Sequence, residues 1–148
     1  MHGARREGAD SLPEHKLPDR RFGPERRLRR RNDFSKILSG GIRLNVQVVT
    51  IVVRPNEADH PRLGLAVSRR VARSAVTRHR LKRHIRESFR HHTESLAGLD
   101  VVVLARPGAA KMDSGRLRGV LTRGWCRAAD MVRRNEQRRQ RRDPRDGN

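Results

Sequence analysis

The 148-residue chain has no tyrosine, one tryptophan and three phenylalanines, and its apolar residues make up 34%. Ordinary soluble domains reach ~45–50% in a class that also counts glycine, so a small core with unpacked ends is expected. The length fits one domain and argues against a two-domain enzyme. Cys126 is the only cysteine. That excludes an intrachain disulfide and a cysteine-based zinc site, and it suits a reducing compartment. No stretch approaches the ~18 apolar residues of a membrane span, and the first residues lack the apolar run of a signal peptide. The expected location is therefore cytoplasmic, with no membrane partner. Lysine is also scarce, at Lys16, Lys36, Lys82 and Lys111.

Arginine is what the chain has in abundance: 32 residues, giving a net charge of +20 and an isoelectric point near 11.9. Guanidinium grips phosphate bidentately and stacks on bases, so the natural partner of such a surface is a polyanionic nucleic acid. Residues 1 to 31 carry ten basic and five acidic groups, with Pro13, Pro18 and Pro24 and no apolar period. Residues 133 to 148 carry seven arginines and three acids with no apolar side chain. Both ends read as disordered tails, 1–25 and 133–148, flanking a domain over 26–132. Within residues 32 to 132 the net charge is +11, and the segment from Arg69 to Arg90 supplies nine basic groups against Glu87 alone. The positive field of the domain is thus one local feature.

Asn32 is a plausible cap for a short helix with Phe34, Ile37 and Leu38 on one face, stopped by Gly40-Gly41. Val46 to Val53 is β-branched and predicts a strand ending at Arg54-Pro55, with room for another early strand between Gly41 and Pro61. Arg62 to Arg69 alternates, with Leu63, Leu65 and Val67 on one side and the small Gly64, Ala66 and Ser68 on the other. A helix or another backbone could approach that small-sided face closely. From Ser74 to His92 the period is helical, with Thr77, Leu81, Ile85, Ser88 and Phe89 in one stripe. Asp100 to Ala105 has the look of a strand buried on both faces. Asp113 or Ser114 caps a last helix with the stripe Leu117, Val120, Leu121, Ala128, Met131 and Val132, weakened by Gly115, Gly119 and Gly124 at ~1 kcal/mol each. Interleaved strands and helices predict an α+β single-domain sandwich, a small sheet with helices over it.

The helix from Ser74 bears His79, Arg80, Lys82, Arg83, Arg86 and Arg90 opposite its apolar stripe. Solvated helix faces usually mix signs at i, i+4, whereas here Lys82, Arg86 and Arg90 stand like on like. An external anion would supply the compensation. A DNA-reading motif would need a preceding helix and amide base-readers, so folded RNA fits better than DNA. The eight acids of the middle segment fall singly in loops and caps, so no catalytic set is expected. His79, His84, His91 and His92 lack metal-site spacing; partial charge or a stacking plane suits them better, and no metal site is expected. Phe34 reads either as core or as a platform for an unpaired base.

Arg27 to Phe34 (RLRRRNDF), Arg62 to Arg70 (RLGLAVSRR), Ala75 to Arg83 (AVTRHRLKR) with Arg86-Glu87, and Val101 to Arg106 (VVVLAR) occur in this order. Together they resemble the protein subunit of bacterial ribonuclease P, over about residues 26 to 129. The resemblance implies a ribosomal protein S5 domain 2-like fold with a left-handed βαβ crossover, against the usual right-handed rule. It implies that Arg73, Arg78, His79, Arg80, Lys82, Arg83, Arg86 and Arg90 face a catalytic RNA subunit. It implies also that Phe34, Leu38, Val48, Ser68, Arg69 and Arg70 line a cleft for the single-stranded 5′ leader of precursor tRNA. Two positions depart from the family pattern. His79 replaces the central Asn of an Arg-Asn-Arg signature, and Leu38 and Val48 are aliphatic where aromatics are common. The implied reaction is hydrolysis of one phosphodiester to give mature tRNA 5′ ends, performed by the RNA subunit with Mg²⁺ and not by residues of this chain. The other function open to such a composition is that of a structural, ribosomal-type RNA-binding protein.

Overall fold

The computed structural model describes residues 31 to 142; the expected tail over 1–25 and the segment 143–148 lie outside the described residues. The chain runs α1 (Arg31–Gly40), β1 (Ile42–Val46), β2 (Val49–Pro55), β3 (Arg62–Ala66), α2 (Ala75–Arg90), β4 (Leu99–Ala105), a 3-10 turn (Ala109–Lys111) and α3 (Ser114–Arg142). The strands form one mixed sheet in the order β1-β2-β4-β3. β2 pairs antiparallel with β1 and β4, while β3 and β4 are parallel and joined through α2. This is the α+β arrangement expected from the interleaved periods.

Burial explains which segments became central strands. Val49 to Val53 and Leu99 to Val103 are buried throughout, as a strand covered on both faces requires. On one face, Ile51, Val53, Leu63, Val101 and Val103 pack under Leu81, Ile85 and Phe89 of α2 and Leu117, Leu121 and Trp125 of α3. On the other, Val52 and Val102 meet Ile37 of α1, with Phe34, Leu38 and Leu104 at the margin. Helices α1 and α2 therefore lie on opposite faces of the sheet. Trp125 Nε1 donates to Ser88 Oγ at 2.8 Å, and its ring meets Phe89 edge-on at 5.7 Å. These contacts lock α3 to α2 and leave the buried indole N–H satisfied.

Three expectations are corrected. The run Val46–Val53 is a hairpin and not one strand: Val46 closes β1 opposite Val49, and Gln47 with Val48 makes a two-residue connection. Gln47 takes φ 49°, a conformation such turns need and usually obtain from Gly or Asn, so the turn carries no sequence mark. Asn32 lies inside α1 and does not precede it. Residues 133–142, expected in a disordered tail, continue α3 as helix with every side chain exposed. Helix α3 starts from Asp113, whose Oδ1 accepts the Arg116 N–H at 2.9 Å. Of its three glycines, Gly124 has a packing reason: a Cβ there would collide with Ile51 Cδ1.

Candidate nucleic-acid interface

Helix α2 is built to show one face. Ser74 caps it by accepting the Thr77 N–H at 3.3 Å, and Leu81, Ile85, Ser88 and Phe89 are buried. His79 and Arg83 are exposed on the outer arc, and Lys82, Arg86 and Arg90 are half-buried. Before the helix, the Ser68 carbonyl accepts the N–H groups of Val71 (3.1 Å) and Ala72 (3.2 Å), turning the chain. Ser68, Arg69, Arg70 and Arg73 are exposed around this turn. Arg69, Arg70, Arg73 and Arg78 line one concavity, so residues implied for the leader and for the RNA subunit come together here.

Two of the expected RNA-facing arginines also hold the protein. Arg78 Nη1 donates to the carbonyls of Ala72 (3.0 Å) and Arg73 (2.8 Å), bracing the arginine loop from inside. Arg80 Nη2 donates to the Ala110 carbonyl at 3.0 Å and ties α2 to the 3-10 turn. With five N–H groups each, both guanidinia keep donors for a phosphate. Glu87 pairs with Arg90 at 3.0 Å and His91 at 3.2 Å, so the one acid of this face relieves its far end only.

The α2 and α3 helices flank a pocket of about 310 Å³ whose lining includes His84, His92, Ser114 and Arg118. His84 Nε2 lies 3.3 Å from Ser114 Oγ. Burial, and then the charges of Arg80, Arg83 and Arg118, hold His84 below the usual histidine range. The partial positive charge expected of this histidine is thereby opposed, and a neutral imidazole is favoured. Arg118 had no signal in sequence, because it lies on α3, far from the basic stretch.

The other sheet face carries α1. Phe34 is half-buried with its ring over Gly64, so the small-sided strand face does admit a helix. Leu38 is half-buried beside it. Val48 is not on this face: it sits in the β1–β2 turn and packs with the core on the opposite side, a consequence of the undetected hairpin. Val52 takes the position beneath α1 instead, a residue missed because the unbroken apolar run hid its alternation with Ile51 and Val53. Beyond the row Gly64–Val102–Val52 covered by α1, the next row is Ala66–Leu104–Thr50–Asn45. Ala66 and Asn45 are exposed and Leu104 half-buried, leaving a shallow shelf beside the helix.

The described residues do not fit a metal centre. Among the described residues no three His, Cys, Asp or Glu side chains converge on a metal-sized site. Asp100, the buried carboxylate, is taken up by Arg62 (2.8 and 2.7 Å) and by Asn56 Nδ2 (2.8 Å). That pair raises the Arg62 pKa, chiefly through the hydrogen bonds to Asp100. Among the described residues no helix is long and apolar enough to cross a membrane.

Comparison with known proteins matches residues 22–129 to the family model described as Ribonuclease P. The ribonuclease P protein component of Thioalkalivibrio sulfidiphilus is 41% identical over 109 residues, 74% of this chain and 91% of that protein. The corresponding protein of Pseudomonas aeruginosa strain LESB58 is 39% identical over 112 residues, 75% of this chain and 83% of that one. The solved ribonuclease P protein of Staphylococcus aureus superposes with a TM-score of 0.63 at 31% identity, covering 66% of this chain and 90% of that chain. The Thermotoga maritima protein gives 0.63 at 33% identity, covering 68% and 96%. A four-stranded mixed sheet with an arginine-faced crossover helix, and this agreement over most of the sequence, lead to one conclusion: the chain belongs to the bacterial ribonuclease P protein family, the protein component of the ribonucleoprotein endoribonuclease that matures tRNA 5′ ends.

Proposed function

We propose that this chain binds the RNA subunit of ribonuclease P through α2 and the Arg69–Arg73 loop, and holds the precursor-tRNA leader along the shelf beside Phe34. The observation that carries this reading is the division of the fold. Arginines crowd the outer arc of α2, whereas the open sheet row lies on the opposite face next to α1. Phosphate contacts on the first surface position a folded RNA without reading its sequence. The second surface offers a half-buried aromatic edge, an aliphatic floor and the amide of Asn45, which suits an extended strand of unpaired nucleotides.

Hydrolysis of the phosphodiester belongs, in this reading, to the RNA subunit and its Mg²⁺. Among the described residues, Asp100, Glu87 and Asp130 are held in ion pairs and Asp113 in a cap, and no three candidate ligands converge. Its contribution is electrostatic: a cationic protein between two polyanions lowers their repulsion and fixes the leader. The place of action is the cytoplasm, and neither DNA nor a membrane is a partner. Sequencing the RNA that co-purifies with the tagged full chain tests the assignment. Enrichment of ribonuclease P RNA and precursor tRNAs is expected; enrichment of ribosomal RNA alone would contradict it.

A further inference from the structure

Helix α3 outlasts the core it packs on. Its last buried residue is Val132, yet the helix runs on to Arg142 with ten exposed residues. The stretch lies beyond residue 129, where the family match ends. Nothing in it offers an apolar face, and Glu136 is its single acid. Arg133 pairs with Asp130 at 3.4 Å. Arg134, Arg138 and Arg142 follow one another at i, i+4, a spacing at which like charges destabilise a helix.

At about 100° per residue, Arg134, Arg138, Arg139, Arg141 and Arg142 fall within one arc of about 160°. Glu136, Gln137 and Gln140 lie on the other side, and Asn135 is the one uncharged residue inside the arc. The arginine arc spans about 12 Å along the axis at ~1.5 Å per residue, enough for several successive phosphates. The density of guanidinium groups on this face suits contacts to backbone phosphates. The geometry points to a second RNA-binding surface: the overhanging end of α3 contacts the phosphate backbone of the ribonuclease P RNA subunit, outside the contact made by α2. The inference rests on the proposed partnership with that RNA.

Equilibrium binding of transcribed ribonuclease P RNA by the full chain and by its R134Q/R138Q/R139Q/R142Q variant, over a series of salt concentrations, tests it. The variant should melt like the parent, because no altered side chain is buried. Its dependence of log K on log salt should be shallower by about 2 to 3, at up to ~0.9 per phosphate contact. A chain ended after Arg133 keeps every buried residue of α3, also lacks Arg141 and Arg145, and should show a loss at least as large. Parental slopes in both variants overturn the inference, as does a loss confined to the assembled enzyme's affinity for precursor tRNA. A parent chain with no affinity for ribonuclease P RNA would overturn the underlying partnership as well.

Discussion

The ring of Phe34 rests directly on Gly64: a Cβ at Gly64 would stand 2.7 Å from Phe34 Cζ. The missing side chain in β3 is what lets α1 lie close to the sheet while the ring keeps an exposed edge. Phe34 is thus neither plain core nor a free platform. Phe34→Ala should cost less stability than the ~3–5 kcal/mol of a fully buried phenylalanine. Assembled with its RNA, the variant should bind leader-bearing precursor tRNA about 1 kcal/mol more weakly, the low end of the stacking range, with mature tRNA unaffected. Equal losses on both tRNAs would remove Phe34 from the leader site.

The α2 face separates into side chains that reach outward and side chains that also brace the protein. Replacing Lys82, Arg83 and Arg73 with Ala should lower the salt slope of RNA binding by about 2 to 3 while leaving the melting temperature near the parental value. Arg80→Ala should behave differently, because its bond to the Ala110 carbonyl is lost too. A loss of about 1 kcal/mol in stability is expected alongside weaker RNA binding. Identical melting curves for the parent and Arg80→Ala would return Arg80 to a purely outward role.

Much of this was legible in the sequence, and the failures have physical causes. Helix α2 was readable because Ser74, the Leu81–Ile85–Phe89 stripe and the arginine arc all follow one period. β4 was readable because a central strand needs no polar face. The hairpin at Gln47-Val48 was not, since a left-handed Gln leaves no Gly or Asn to find; Val48 therefore lies in the turn, and Val52 is the residue buried beneath α1. The helical state of residues 133–142 was hidden as well. The segment's Arg, Gln and Glu residues favour helix, but like charges oppose it and no apolar stripe marks it; the packing that supports α3 ends at Val132.

Asp100 is 7% exposed, and its hydrogen bonds join the start of β4 to Arg62 of β3 and to Asn56 in the β2–β3 loop. Asp100→Ala strands the Arg62 guanidinium, which keeps partial contact with water, so the expected cost is about 2 kcal/mol and not the ~3–5 of a fully buried pair. Chemical denaturation should show it as a lower midpoint with little effect on the salt slope of RNA binding. A midpoint unchanged from the parent would contradict this role.

His84 has its folded-state pKa depressed by burial and by Arg80, Arg83 and Arg118, in a groove that also holds Glu87, His91 and His92. A histidine with a depressed pKa favours the folded state while neutral. As pH falls through ~6.5, the unfolded chain takes up the proton first and stability is lost. His84→Gln should flatten that decline between pH ~6.5 and the lower folded-state value, as measured by melting temperature. A decline as steep as the parent's would assign it to other groups.

Reconstitution tests the central claim most directly. The full chain should be combined with transcribed ribonuclease P RNA and a leader-bearing precursor tRNA at low Mg²⁺, with each component also assayed alone. The account predicts accurate release of the leader and a 5′-phosphate on mature tRNA when both subunits are present, strong loss of rate without the protein, and no cleavage by the protein alone. Accurate cleavage by the protein without RNA, or a rate that the protein leaves unchanged, would contradict it.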